Sequence, residues 1–146
     1  MVGRRKSSFC VTLLSLFTLV SSGSVANTVK NLEIVQSGIL AEGRRFPAEE
    51  DVCSTFKPEK YEVVAFFNRA RPVGDPGALI HARYSPCSAE GVITFSDGSS
   101  GKWVLHSGGI ATFFPKNGGY TRLFYKKNKW HDPYTCMYGL SDEGEC

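Results

Sequence analysis

The sequence predicts an α+β fold, one helix packed on a four- to five-stranded antiparallel β-meander and held by disulfides. Three observations predict it. A single helical period covers residues 58–70, and from Gly77 onward the pattern changes to alternation broken by glycine-rich turns. Cys53, Cys87, Cys136 and Cys146 all follow an N-terminal segment with the features of an export signal. Helix first and consecutive strands after it is an α+β order, whereas regular strand–helix alternation would predict a parallel sheet.

The chain opens on a positive cluster, Arg4-Arg5-Lys6, followed by an apolar stretch over 9–20 and then by Ser22, Ser24 and Ala26. These are the three parts of a secretory signal, and small residues at Ser24 and Ala26 place the expected cut after Ala26. The apolar core is shorter than the ~20 residues that cross a bilayer, so no stable membrane span is expected after cleavage. Residues 27–146 then make one mature domain, near the usual size for a single core. Loss of Arg4, Arg5 and Lys6 lowers the basic count from 17 to 14, equal to the 14 acidic side chains. The mature chain is therefore close to neutral, and nucleic acid is not an expected partner.

An even cysteine count in an exported chain of this size reads as a disulfide framework. Cys53–Cys87 with Cys136–Cys146 closes the shorter loops. Cys87–Cys136 with Cys53–Cys146 ties the ends of the sheet region together. Zinc sites favour close Cys-x-x-Cys pairs, which this sequence lacks, so no metal is expected.

Along the mature chain, Leu32, Ile34 and Val35 suit a short strand. Residues 41–51 are polar and charged around Pro47 and read as a loop. In the 58–70 helix, Pro58 suits a first helical position. Glu59 and Glu62 suit the electropositive first turn, and Val63, Phe66, Phe67 and Ala70 share one face. Pro72 ends it. Strands follow over 79–84, 91–95, 102–106, 110–114 and 120–125, separated by turns at Pro86, 97–101, Gly108-Gly109 and 117–119. Residues 128–146 read as a C-terminal loop with aromatics and an acidic end. The order of helix and meander over 58–125 resembles cystatin-like folds in layout. No motif accompanies that likeness, and it implies nothing about protease inhibition.

Alternation sorts the strand residues onto two faces. Ile80, Ala82, Tyr84, Ile93, Phe95, Trp103, Leu105, Ala111, Phe113, Leu123 and Tyr125 fall on one and match the helix stripe as a core. His81, Arg83, Thr94, Ser96, Lys102, His106, Thr112 and Arg122 fall on the other, with Val104, Ile110 and Phe114 among them. Antiparallel sheets commonly wet one face, so the second face is a solvated surface or a recognition surface. On the latter reading His81, Arg83, His106 and Arg122 meet an acidic partner. The loop carrying Trp130, His131, Asp132 and Tyr134 is a further candidate, because Trp and Tyr anchor binding interfaces. Equally, these rings serve to cap the sheet and cover the core.

No enzyme signature is complete. Gly-x-Ser-x-Gly, phosphate-cradling and dinucleotide-binding glycine patterns are absent. Glu90, Asp97 and Asp132 lie near turns, where acidic residues are ordinary. The expectation is a non-enzymatic bacterial protein, periplasmic or secreted, without cofactor. It would bind another protein, as an immunity protein or inhibitor of a toxin or cell-wall hydrolase does. The alternative is a small-ligand-binding or enzymatic domain with an apolar pocket between helix and sheet, lined by Phe66, Trp103 and Tyr125.

Overall fold

The computed structural model describes residues 27–41, 47–74, 83 and 85–135. The expected export signal, most of the expected 79–84 strand, His81, Cys136 and Cys146 lie outside the described residues. Among the described residues eight elements follow in order: β1 (Val29–Leu40), α1 (Pro47–Cys53), α2 (Lys60–Arg69), β2 (Arg71–Pro72), β3 (Cys87–Phe95), β4 (Ser100–His106), β5 (Ile110–Pro115) and β6 (Thr121–Phe124). They form an antiparallel six-stranded sheet in the order β1-β3-β4-β5-β6-β2, with two helices. The α+β class holds, and β3 to β6 form the expected meander. β1 and β2 are additions, one at each edge.

The meander turns where its glycines allow. β4 passes to β5 through Ser107-Gly108-Gly109, with Gly109 at φ 87°, a left-handed conformation that side chains with a Cβ rarely adopt. Turns at Gly98 and at Gly118-Gly119 are made the same way.

α2 starts two residues later than Pro58 suggests. Glu59 is the N-cap, and it forms a capping box in which its backbone N–H donates to the Glu62 carboxylate at 2.9 Å. Such a box satisfies two otherwise orphaned helix donors, so Pro58 stands just outside the helix. Val63, Phe66 and Phe67 are its buried stripe. Phe67 meets Trp103 at 5.7 Å and Phe95 at 6.5 Å between ring centroids, both edge-on. Such pairs add about 0.5–1.5 kcal/mol beyond their area burial. The core is completed by Leu32, Ile93, Leu105 and Ala111 from the sheet, and by Phe56 and Trp130.

Three expectations are corrected. The short strand near Leu32 is a twelve-residue strand, β1. Its register with β3 shifts between Val29 and Asn31, between Ile34 and Gln36, and between Ser37 and Ile39. Each bulge interrupts alternation, so no clean period-two signal reaches the sequence. The 41–51 loop gives way to α1. Pro47 is the first helical residue, where its missing N–H costs nothing, and Glu49 and Glu50 occupy the first turn. β3 begins at Cys87, four residues before the expected Gly91, because Cys87, Ser88 and Ala89 are small and carry little strand signal.

Cys53 and Cys87 are fully buried and joined, which staples the end of α1 to the start of β3. This bond selects the first expected pairing for those two cysteines and excludes Cys53–Cys146 and Cys87–Cys136. Among the described residues no helix is long and apolar enough to cross a membrane.

Candidate functional site: the outer face of the sheet

Both helices contact β1, and the stripe of α2 packs on the inner side chains of the sheet. The opposite, outer face can be read row by row from the strand register. One row is Glu33–Val92–Lys102–Phe114, and the next is Gln36–Glu90–Val104–Thr112–Arg122. A third is Ser88–His106–Ile110–Phe124. The third row is shielded in part, since Ile110 is buried and His106 half-buried. The first two are open.

That open region is more apolar than the sequence suggests. Val92 is 40% exposed and Phe114 42%, with half-buried Val104 beside them. Val35, displaced by a β1 bulge, is 63% exposed at one side, and Tyr120 is 63% exposed at the other. The Phe114 and Tyr120 rings lie 6.4 Å apart, and the Arg122 guanidinium sits 5.6 Å from the Tyr120 ring centroid. Val92, Lys102 and Phe114 form the shared wall of two adjoining hollows. One is about 230 Å³ and includes Val35, Glu90 and Val104; the other is about 500 Å³ and includes Thr94, Ser100 and Lys116. Carboxylates (Glu33, Glu90) lie on β1 and β3; cations (Lys102, Lys116, Arg122) lie on and after β4. The face therefore has an apolar centre and a rim of both signs.

β3 packs closely on β1 and Trp103 here because Gly91 has no side chain. A methyl group at Gly91 would run into the Glu33 carbonyl oxygen and lie 2.7 Å from Trp103 Cζ2. Trp103 is fully buried beneath it.

A second cluster sits at the end of the sheet, where the candidate loop folds back. Trp130 is buried, donates its indole N–H to the Ser107 carbonyl at 2.8 Å, and packs against Phe66 and Phe56. Asp132 accepts from Ser107 Oγ at 2.6 Å and from the Tyr134 backbone N–H at 3.0 Å. Ser107 Oγ also lies 2.6 Å from Ser85 Oγ, which accepts from the Cys87 N–H at 3.1 Å. One hydroxyl carries one proton, so Ser85 donates to Ser107 and Ser107 to Asp132. Both serines are fully buried. This hydrogen-bonded chain ties Ser85, Ser107 and the 132–134 loop together. Arg83 is 8% exposed and borders a small polar hollow of about 180 Å³ with Lys126 and Asp132.

His106 Nδ1–H donates to the Ser85 carbonyl at 3.1 Å. Burial pushes its imidazole below the ordinary value, and that hydrogen bond partly opposes the fall. Among the described residues no group of three or more His, Cys, Asp or Glu is placed to hold a metal.

The sequence candidates therefore divide. Arg122 stands on the outer face. Arg83, Trp130, Asp132 and Tyr134 gather at the sheet end, where His106 is tied to the same Ser85. Exposed His131 adjoins them. Val35, Val92 and Tyr120 had not been singled out. The Val35 signal was hidden by the bulge, and Val92 falls one residue inside the expected start of its strand. Of the three residues expected to line a pocket between helix and sheet, one stands apart from the other two. Trp103 belongs to the core, while Phe66 and Tyr125 reach a cleft at the helix margin. No protein-family model, curated protein or solved structure matches this chain.

Proposed function

We propose that the chain is an exported bacterial protein-binding module, acting as an immunity protein or inhibitor against a toxin or cell-wall hydrolase in the periplasm or outside the cell. In this reading the outer sheet face is the recognition surface. One observation carries it: Val35, Val92, Phe114 and Tyr120 are exposed across the open side of a disulfide-stapled sheet. Exposed apolar side chains that adjoin and are rimmed by charge mark interaction surfaces. A rigid sheet presents them with little ordering cost on binding. The mixed rim supplies register and discrimination between partners. The helix-and-meander order resembles cystatin-like folds in layout alone, and that likeness implies no function.

The test compares the mature chain with a V92T/F114T variant as bait in native periplasmic extract supplemented with candidate competitor toxins. A stoichiometric enzyme partner is expected, bound by the wild type and lost by the variant, whose activity falls on titration with the wild-type chain. Equal capture by both baits would remove the outer face as the site. A partner whose activity is untouched would remove the inhibitor reading.

A further inference from the structure

We propose a second binding site, independent of the outer face, for an organic anion with a flat ring. It lies in the cleft of about 420 Å³ between α2 and the segment that follows β6, a volume within the usual range for small-molecule sites. Its floor is aromatic: Phe66 and Tyr125 meet edge-on, with centroids 6.5 Å apart. Tyr61, 64% exposed, stands at its side. Arg69 comes from the last turn of α2, and Lys127 and Lys129 from the opposite wall. All three cations are exposed. Glu62 also borders the cleft, but its carboxylate is engaged with the α2 N-terminus. The cleft is thus left with a cationic surplus over an aromatic floor.

Both walls are fixed before any ligand arrives. α2 is held by its buried stripe, and Asn68 Oδ1 accepts from the Val29 N–H at 2.8 Å. On the other wall the Tyr125 N–H donates to the Gly109 carbonyl at 3.1 Å. The Asn128 N–H donates to the Lys126 carbonyl at 2.9 Å, and Trp130 is pinned in the core immediately after Lys129. Two lysines and an arginine on rigid supports around ring faces match a ligand with a negative group at one end and an apolar ring at the other. The recognised chemistry is the pairing of anion and ring; a neutral ring or a bare inorganic anion would satisfy only half the site.

The probe is 8-anilinonaphthalene-1-sulfonate, titrated into the folded mature chain and read by its fluorescence. One saturable site is expected. In K127E/K129E, binding should weaken by roughly tenfold, as expected from two reversed surface charges. In V92T/F114T it should be unchanged. The same ring system without the sulfonate, N-phenyl-1-naphthylamine, should also bind the wild type more weakly, a comparison that no variant's folding affects. The proposal is overturned if no saturable site is found, if the signal is lost in V92T/F114T instead, or if the neutral analogue binds as well as the sulfonate.

Discussion

Trp103 and Trp130 are both buried in the core, yet their indole N–H groups differ. Trp130 donates to the Ser107 carbonyl, while Trp103 Nε1 finds no acceptor among the described residues. An unpaired buried donor costs about 1–3 kcal/mol, and so does a carbonyl stripped of its partner. Trp103→Phe removes the first penalty, which offsets part of the cavity it opens, whereas Trp130→Phe creates the second. W130F is therefore expected to destabilise the fold more than W103F. Denaturant midpoints for the two variants check this, and the reverse order would show that the Trp103 donor is satisfied. Sequence reasoning flagged both rings, but the residue types alone say nothing about which indole meets a carbonyl. For Trp130 that pairing depends on a loop returning to the end of the sheet.

His106 carries the clearest pH dependence at the residue scale. Its folded-state value is depressed by burial, so the unfolded chain takes up a proton first as pH falls. Stability should therefore be fully present above the ordinary value of 6.5 and decline as pH drops below it toward the folded-state value. H106Q should flatten that part of the profile. Thermal midpoints for wild type and variant across pH 4.5–8 read the difference, and parallel curves would assign the acid sensitivity elsewhere.

Among the elements, α2 and the meander were readable because each keeps one period throughout: three-and-four spacing at Val63, Phe66 and Phe67, and alternation at Trp103 and Leu105. β1 and α1 were not. Bulges break the alternation of β1, and α1 is a seven-residue helix in a polar stretch whose Pro47 looks like a breaker until its first-turn position is known. The staple joining α1 to β3 was readable as a pairing only through loop length. Closing a loop with a sequence separation of 34 residues is worth about 3–4 kcal/mol by restricting the unfolded chain. C53A/C87A should lower stability by about that amount, measured by urea unfolding. A loss below ~1 kcal/mol would mean the buried contacts, rather than the covalent link, hold α1 in place. Gly91→Ala should also be severe, because its new methyl meets main chain on one side and Trp103 on the other.

At the scale of the whole molecule, the sheet divides its faces by what covers them. The inner face carries the helix stripe and the larger rings. The outer face keeps Val92 and Phe114 in solvent, where they add little to folding. V92T/F114T retains strand-favouring residues and empties no core site, so its stability should stay within ~1 kcal/mol of the wild type. A larger loss, seen in the same urea experiment, would make these side chains structural. The sequence placed Phe114 and Val104 on this face, but among His81, Arg83, His106 and Arg122, which pointed to an acidic partner. Acidic Glu33 comes from β1, which had not been assigned a full strand, and Tyr120 and Val35 are brought up by a turn and a bulge. The balance of the surface depends on the β1–β3 pairing and on irregularities that period counting passes over.

The position of β1 also sets an order of events for a chain that emerges from its amino end. β1 is the first strand to appear, and its partner along the ladder is β3, whose residues follow only after both helices and the segment to Ser85. Until Phe95 is out, all twelve residues of β1 face water without their ladder, as the kind of unpaired strand that other chains readily join. The helices can form locally in that interval, but the sheet cannot begin at its own first strand. The β3–β4–β5 hairpins have the local contacts that form quickly, whereas β1 must reach its partner across both helices. The bulges that hid β1 from period counting then have a second effect: they make it a poor template for a stranger during its wait.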